Sequence, residues 1–400
     1  MFLEILALIL GILAGTITGL LPAIHINLVS AFLIASSAFF LTFTSPLVLV
    51  IFIVAMTITH TFLDFIPSIF LGAPDEDSVL AILPGHELLL KGKGYEAVIL
   101  TLYGCITGII LLLILTPLFI FILPKIYSYL KFIMFLILLF TNIYLIIKEK
   151  NSKLKALLVF LLSGFLGLST LNLPIQESLL PLLTGLFASS SLITSIIKKQ
   201  KLPKQESIKK IKINKKELIR PSIAALLSAP LCSFLPALGT GQAAIIGSDI
   251  VGEVKRREFL ILLGIINAII AGLSFITLYS INKARTGTAV AVQQLLVNFT
   301  FNNLLIILLV ILISAFFSYF LTIFLAKIFA NRITRINYRT LSIIILLFIS
   351  AIVLVFSGFL GFLVFIIATS TGLLAIFLGV RRTHLMGSLM LPSILLYLPI

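Results

Sequence analysis

The chain has 400 residues, 60% of them hydrophobic and only 11% charged, with a mean hydropathy of +1.25. Soluble domains carry about a quarter charged residues, so a soluble globular fold is excluded and most of the chain belongs in lipid. The net charge of +15 sits in short loops between apolar runs, which marks the cytoplasmic side of a membrane protein rather than a nucleic-acid-binding surface.

Residues 2–21 are apolar and carry Glu4 with no preceding Lys or Arg, so they read as a retained membrane segment, not a cleaved leader. The phrase Leu21-Pro22-Ala23-Ile24-His25-Ile26-Asn27 interrupts them, and 28–43 runs back, giving a re-entrant hairpin near 2–43. The next run, 47–70, contains His60 and, one helical turn later, Asp64. A second break follows at Gly72 to Ser78 with Asp75, Glu76 and Asp77, so the segment near 60–88 is broken. Past the basic turn Lys91-Gly92-Lys93-Gly94, spans at about 96–122, 130–147, 154–172 and 176–196 complete a first half, 1–197.

Residues 198–220 form a basic linker with ten Lys or Arg against Glu206 and Glu217. The second half, 221–400, opens with an apolar run broken at Leu235-Pro236-Ala237-Leu238-Gly239-Thr240-Gly241-Gln242. A basic loop at Lys255-Arg256-Arg257 and an apolar run over 259–280 follow. A second break, Asn282 to Thr288, carries Lys283, Arg285 and Thr286 before spans at about 303–328, 341–356 and 358–379.

Placing the basic loops inside orients the array. Loops 91–93, 148–155, 198–220, 255–257, 332–339 and 381–382 are then cytoplasmic, and the N-terminus is extracytoplasmic; loop 124–131, with Lys125 and Lys131, is the mild exception. The first hairpin then enters from outside and the second from inside. The breaks also recur in register, since Asp75 follows Pro22 by 53 residues and Arg285 follows Pro236 by 49. The expected fold is an all-α integral membrane protein of about 10–12 membrane segments, an inverted repeat with broken helical hairpins of the secondary-transporter kind.

Lipid cannot satisfy a broken backbone, so such breaks survive only where protein or a wet cavity covers them. Candidate substrate-binding residues are therefore Pro22, His25 and Asn27 at one tip and Pro236, Gly239, Thr240, Gly241 and Gln242 at the other, with Arg285 and Thr286. A guanidinium at membrane depth suits a carboxylate or phosphate. Candidates for ion or proton coupling are His60, Asp64, Asp75, Asp77 and Ser78. Each has a plainer alternative: helix kinks satisfied by neighbours, an arginine snorkelling to the interface, a solvated acidic turn, a structural His–Asp bond. His86-Glu87 leads into three leucines, which excludes the zinc-protease helix, and no Walker phosphate loop is present. Cys105 and Cys232 lie in apolar runs as core thiols, and no metal site or enzyme activity is expected.

The breaks resemble those of the TctA family, the large membrane subunit of tripartite tricarboxylate transporters, which carries a Pro-Gly-apolar-Gly motif in each half. Here the copies read Pro22-Ala23-Ile24-His25 and Pro236-Ala237-Leu238-Gly239. The family's Ile-Pro-Gly-Glu and Lys-Gly-rich segments correspond to Ala73-Pro74-Asp75-Glu76, Pro84-Gly85-His86 and Lys91-Gly92-Lys93-Gly94-Tyr95-Glu96-Ala97. Asn267-Ala268 and the 279–290 region are similar to its Asn-Ala and second Pro-Gly segment. The chain looks like a divergent, compact branch of archaeal type.

That resemblance implies ion-coupled uptake of a carboxylate with an extracytoplasmic binding protein. The expected function is secondary transport of an organic anion across the cell membrane by alternating access, with Na+ or H+ as coupling ion and no other cofactor. The alternative is a carrier or flippase for a lipid-linked anion such as polyprenyl phosphate. Expected partners are membrane lipid, the anion, and a binding protein or small membrane subunit, with a homodimer left open and nucleic acid excluded.

Overall fold

A computed structural model describes residues 2–21, 26–71, 82–149, 152–197, 203–206, 211–234, 239–252, 254–333 and 337–398. Among these described residues the regular elements are helices, eight of them long and apolar enough to cross a membrane. The first half contains α1 (Phe2–Leu20), α2 (Ile26–Ala35), α3 (Ser37–Phe40), α4 (Pro46–Leu63), α5 (Phe65–Leu71), α6 (Ile82–Leu90), α7 (Gly94–Ile147), α8 (Lys153–Leu171), α9 (Leu179–Leu183) and α10 (Ser190–Ile197). A π-helical turn, Thr184–Ser189, joins the last two. The second half contains α11 (Lys215–Phe234), α12 (Thr240–Ile250), α13 (Arg256–Ile281), α14 (Gly287–Leu295), α15 (Phe301–Arg332), α16 (Tyr338–Phe377) and α17 (Gly387–Leu396).

Apolar side chains gain little by leaving lipid for one another, so membrane helices associate through close packing at small residues. In α1, Gly11, Gly15 and Gly19 press in turn on the α4 backbone at Phe52, Met56 and His60. The ascending order makes α1 and α4 parallel, so the chain between them has to return to its starting end, as a re-entrant hairpin does. Gly104 and Gly108 of α7 meet Ile261 and Ile265 of α13 in the same way, and these two helices are also parallel. The α4–α5 rod runs against α7: Phe70 packs on Gly94, and the Cys105 thiol faces the Thr61 carbonyl at 3.8 Å.

The second hairpin is closed at its base by Arg220, which donates to the Val251 carbonyl at 3.0 Å. Its elbow reaches the middle of α13, where the Thr240 hydroxyl lies 3.4 Å from Asn267 Oδ1. It therefore starts from the same end as α13, whereas α1 starts from the end where α4 begins.

The loop expected at 124–131 is helical, because α7 is unbroken through Pro117 and Pro124. A straight helix of that length would measure about 81 Å. Yet Glu96 near its start pairs with Arg257, while Tyr144 and Lys148 near its end both pair with Asp249, only a short loop away. The stretch thus doubles back, and the two prolines each remove a bond that would hold it straight. At Gly358, φ is 67°, a left-handed conformation that divides α16 into two arms, as the sequence predicts for that position.

The helices form two packed sets. One is built around α1, α4, α7, α11, α13 and α15; in the other, α8 packs on α17, and α16 packs on α9, the π-helical turn and α10. The ion pairs Arg256–Glu87, Arg257–Glu96, Arg257–Glu217 and Lys148–Asp249, together with the His384–Glu149 contact, all join segments that the charge pattern assigns to one face.

Candidate functional site

A cavity of about 590 Å³ lies between the two sets, lined from one by α4, α13 and α14 and from the other by α8, α9 and α17. Four of the residues singled out by sequence line it together: His60, Asp64, Arg285 and Thr286.

Asp64 stands at the joint between α4 and α5, about 4% exposed, inside a 26-residue apolar span. Pro67 lacks the N–H that would bond one turn back, which loosens the helix there. The Asp64 backbone N–H still donates to the His60 carbonyl at 2.9 Å, and the Asp64 carbonyl accepts from the Ser68 hydroxyl at 2.7 Å. Its carboxylate accepts from Asn267 Nδ2 at 3.2 Å, and the same amide nitrogen lies 3.5 Å from the Thr61 carbonyl. His60 is buried beside it, with Nδ1 at 3.1 Å from the Thr18 hydroxyl of α1. The glycine contacts of α1 bring Thr18 within reach.

Arg285 follows a left-handed turn at Asn282, where φ is 50°. It precedes α14, whose N-cap is Thr286, with its hydroxyl accepting from Ala289 N at 3.2 Å and lying 3.0 Å from the Thr288 hydroxyl. Ile26, the first residue of α2, also lines the cavity. Two short helices thus turn their N-termini, the positive ends of their dipoles, toward the space that holds the guanidinium. Lys283 is held elsewhere: its ammonium lies 3.1 Å from the Tyr127 hydroxyl and 3.5 Å from that of Tyr397, over both rings.

The elbow residues of the second hairpin are placed one layer back. Gly239 is the N-cap of α12, and Gln242 Oε1 accepts from its backbone N–H at 3.0 Å. Thr240, Gly241 and Gln242 are buried behind the cavity wall, which Thr240 meets through Asn267. Pro22, His25, Asp75, Asp77, Ser78 and Pro236 lie outside the described residues. Asn27 belongs to α2, but its side chain is likewise outside them.

Sequence reasoning did not assign Asn267, Thr57, Thr61 or Thr288 to the site, though all line the cavity. The signal for Asn267 was present: it is an amide in the middle of a 26-residue apolar helix, 94% of whose most apolar stretch is buried.

A second polar cluster closes the far end of α7. Glu149 Oε2 lies 3.0 Å from His384 Nε2, both side chains buried, and accepts from the backbone N–H of the half-buried Arg381 at 3.0 Å. Arg382 donates to the Leu186 and Phe187 carbonyls and to Ser190 and Ser191, capping groups that the π-helical turn leaves over. Burial pulls the Arg382 guanidinium down to about 10, so it stays cationic at neutral pH.

The family model described as the tripartite tricarboxylate transporter TctA family matches residues 5–387. An uncharacterized protein of Methanocaldococcus jannaschii is 30% identical over 406 residues, covering 99% of each chain. No solved structure matches the chain.

Proposed function

The chain belongs to the tripartite tricarboxylate transporter TctA family, and from that premise we propose that it moves an organic carboxylate across the cell membrane by alternating access, coupled to Na+ or H+. The observation that carries the reading is the convergence of Arg285, Thr286, His60 and Asp64 on one cavity between two helix sets. A fixed cation and two helix N-termini suit a carboxylate. A buried aspartate with an adjacent histidine suits the coupling ion. Rocking one set against the other would open the cavity to either side in turn.

The opposite entry of the two hairpins supports reading residues 1–197 and 221–400 as inverted halves joined by the basic linker 198–220, which we place in the cytoplasm. His25, Asn27, Asp75, Asp77 and Ser78 belong to the same proposal at the first hairpin and its neighbouring break. The family's name also motivates two further components, an extracytoplasmic binding protein and a small membrane subunit. Membership in a tricarboxylate transporter family favours a soluble acid over a lipid-linked anion.

The test is uptake of labelled carboxylates into proteoliposomes under imposed sodium or pH gradients. Uptake that depends on one gradient and is lost in Arg285→Gln supports the reading; uptake in no condition, or uptake indifferent to that substitution, removes it.

A further inference from the structure

The cavity is divided by chemistry along the same seam that divides it by helix set. Its polar wall comes from α4, α13 and α14, with Asp64, Asn267, Arg285 and Thr288 among its members. The wall supplied by α8, α9 and α17 is largely aliphatic: Leu168, Leu171, Leu179, Leu389 and Leu396. Asn172 and Ser393 are its polar members, and Asn172 spends its amide N–H on the Leu168 carbonyl at 2.8 Å.

Positive charge is scarce. Arg285 is the one lysine or arginine among the described residues lining the cavity. The break segments 22–25, 72–81 and 235–238 contain no lysine or arginine. Lys283 is engaged by two tyrosines outside the cavity, and Asp64 contributes a carboxylate to the same space. A trianion would bring two or more carboxylates with no further lysine or arginine to meet them, at high desolvation cost.

We infer that the substrate is a monocarboxylate with an apolar body. Its carboxylate sits at Arg285 beside the Thr286 and Thr288 hydroxyls, and its hydrocarbon part lies against the leucines of α8, α9 and α17. The inference rests on the carboxylate-transport reading above and narrows it, departing from the tricarboxylate that the family's name suggests.

The experiment is equilibrium binding to the purified full chain, with butyrate, hexanoate and octanoate set against succinate and citrate. Arg285→Gln is run in parallel to subtract partitioning into detergent. Affinity is expected to rise about fourfold per added methylene, the amount hydrocarbon burial supplies. Citrate is expected at least tenfold weaker than hexanoate, and Leu168→Thr with Leu389→Thr is expected to flatten the chain-length slope. Citrate binding more tightly than hexanoate, with Arg285→Gln still abolishing it, would overturn the apolar-body inference and leave carboxylate transport standing. Equal binding of every acid to wild type and Arg285→Gln would overturn both.

Discussion

Asn267 donates its side-chain N–H to Asp64 Oδ2 at 3.2 Å, tying the middle of α13 to the joint of α4 and α5. The same amide accepts from Thr240 at 3.4 Å, so one asparagine connects the carboxylate in the cavity to the elbow of the second hairpin. A charge change at Asp64 therefore has a direct physical route to that elbow.

Asp64→Asn removes the charge and keeps an oxygen for Asn267. Gradient-driven uptake is expected to fall at least about tenfold, while exchange of carboxylate between loaded vesicles persists. If gradient-driven uptake instead survives intact, Asp64 lies off the coupling path.

Asn267→Ala strips a partner from both Asp64 and Thr240. The expected cost is about 2 kcal/mol, the penalty of buried polar groups left unmade, seen as a lower thermal midpoint. A double-mutant cycle with Asp64→Asn should show coupling of about 1 kcal/mol; strict additivity would mean that the two side chains do not work together.

Two glycines should differ sharply in tolerance. A methyl group at Gly104 would overlap the Ile261 carbonyl, so Gly104→Ala has to push α7 and α13 apart, at about 2 kcal/mol or more. At Gly239, φ is −89° and the nearest neighbour is the mobile end of Gln242 at 3.2 Å. Gly239→Ala is expected to cost about 1 kcal/mol or less. Detergent-solubilised yield and thermal midpoint of the two variants decide the comparison.

The His384–Glu149 contact predicts a pH effect. Burial, the dominant influence, holds the His384 imidazole below its usual 6.5 although Glu149 pulls it upward. The unfolded chain then binds the proton more readily than the folded one. The stability from this histidine is accordingly present above about pH 6.5 and is lost as pH falls below it. The thermal midpoint should drop between pH 7.5 and 5.5 in the wild type, with a smaller drop in His384→Gln; identical slopes would discount the histidine.

Much of the architecture was legible because lipid enforces simple rules. Apolar runs, the breaks after Leu21 and Leu235, and the loop charges of Lys91, Lys148, Arg257 and Arg381 located the helices and the shared face. Four of the cavity's lining residues, His60, Asp64, Arg285 and Thr286, were legible as polar groups in apolar surroundings. Asn267 was legible only as part of the family resemblance, because an uncharged amide barely lowers the hydropathy of a long helix. Leu168 and Leu389 carry no local sign of function at all, since an apolar wall of a cavity and a lipid-facing surface use the same residues. The doubling back of α7 was foreseen as a loop, but helical hydrogen bonding persists through Pro117 and Pro124.

Lys283 sits on the chain segment of one helix set while Tyr397 follows α17 of the other, with Tyr127 of α7 completing the sandwich. This makes the lysine a clasp between the sets. Any movement that separates the sets on that side must first part the ammonium from the Tyr397 ring, a grip of roughly 1–2 kcal/mol. Such a fastener is too weak to lock the two sets together and strong enough to bias how they rest against one another.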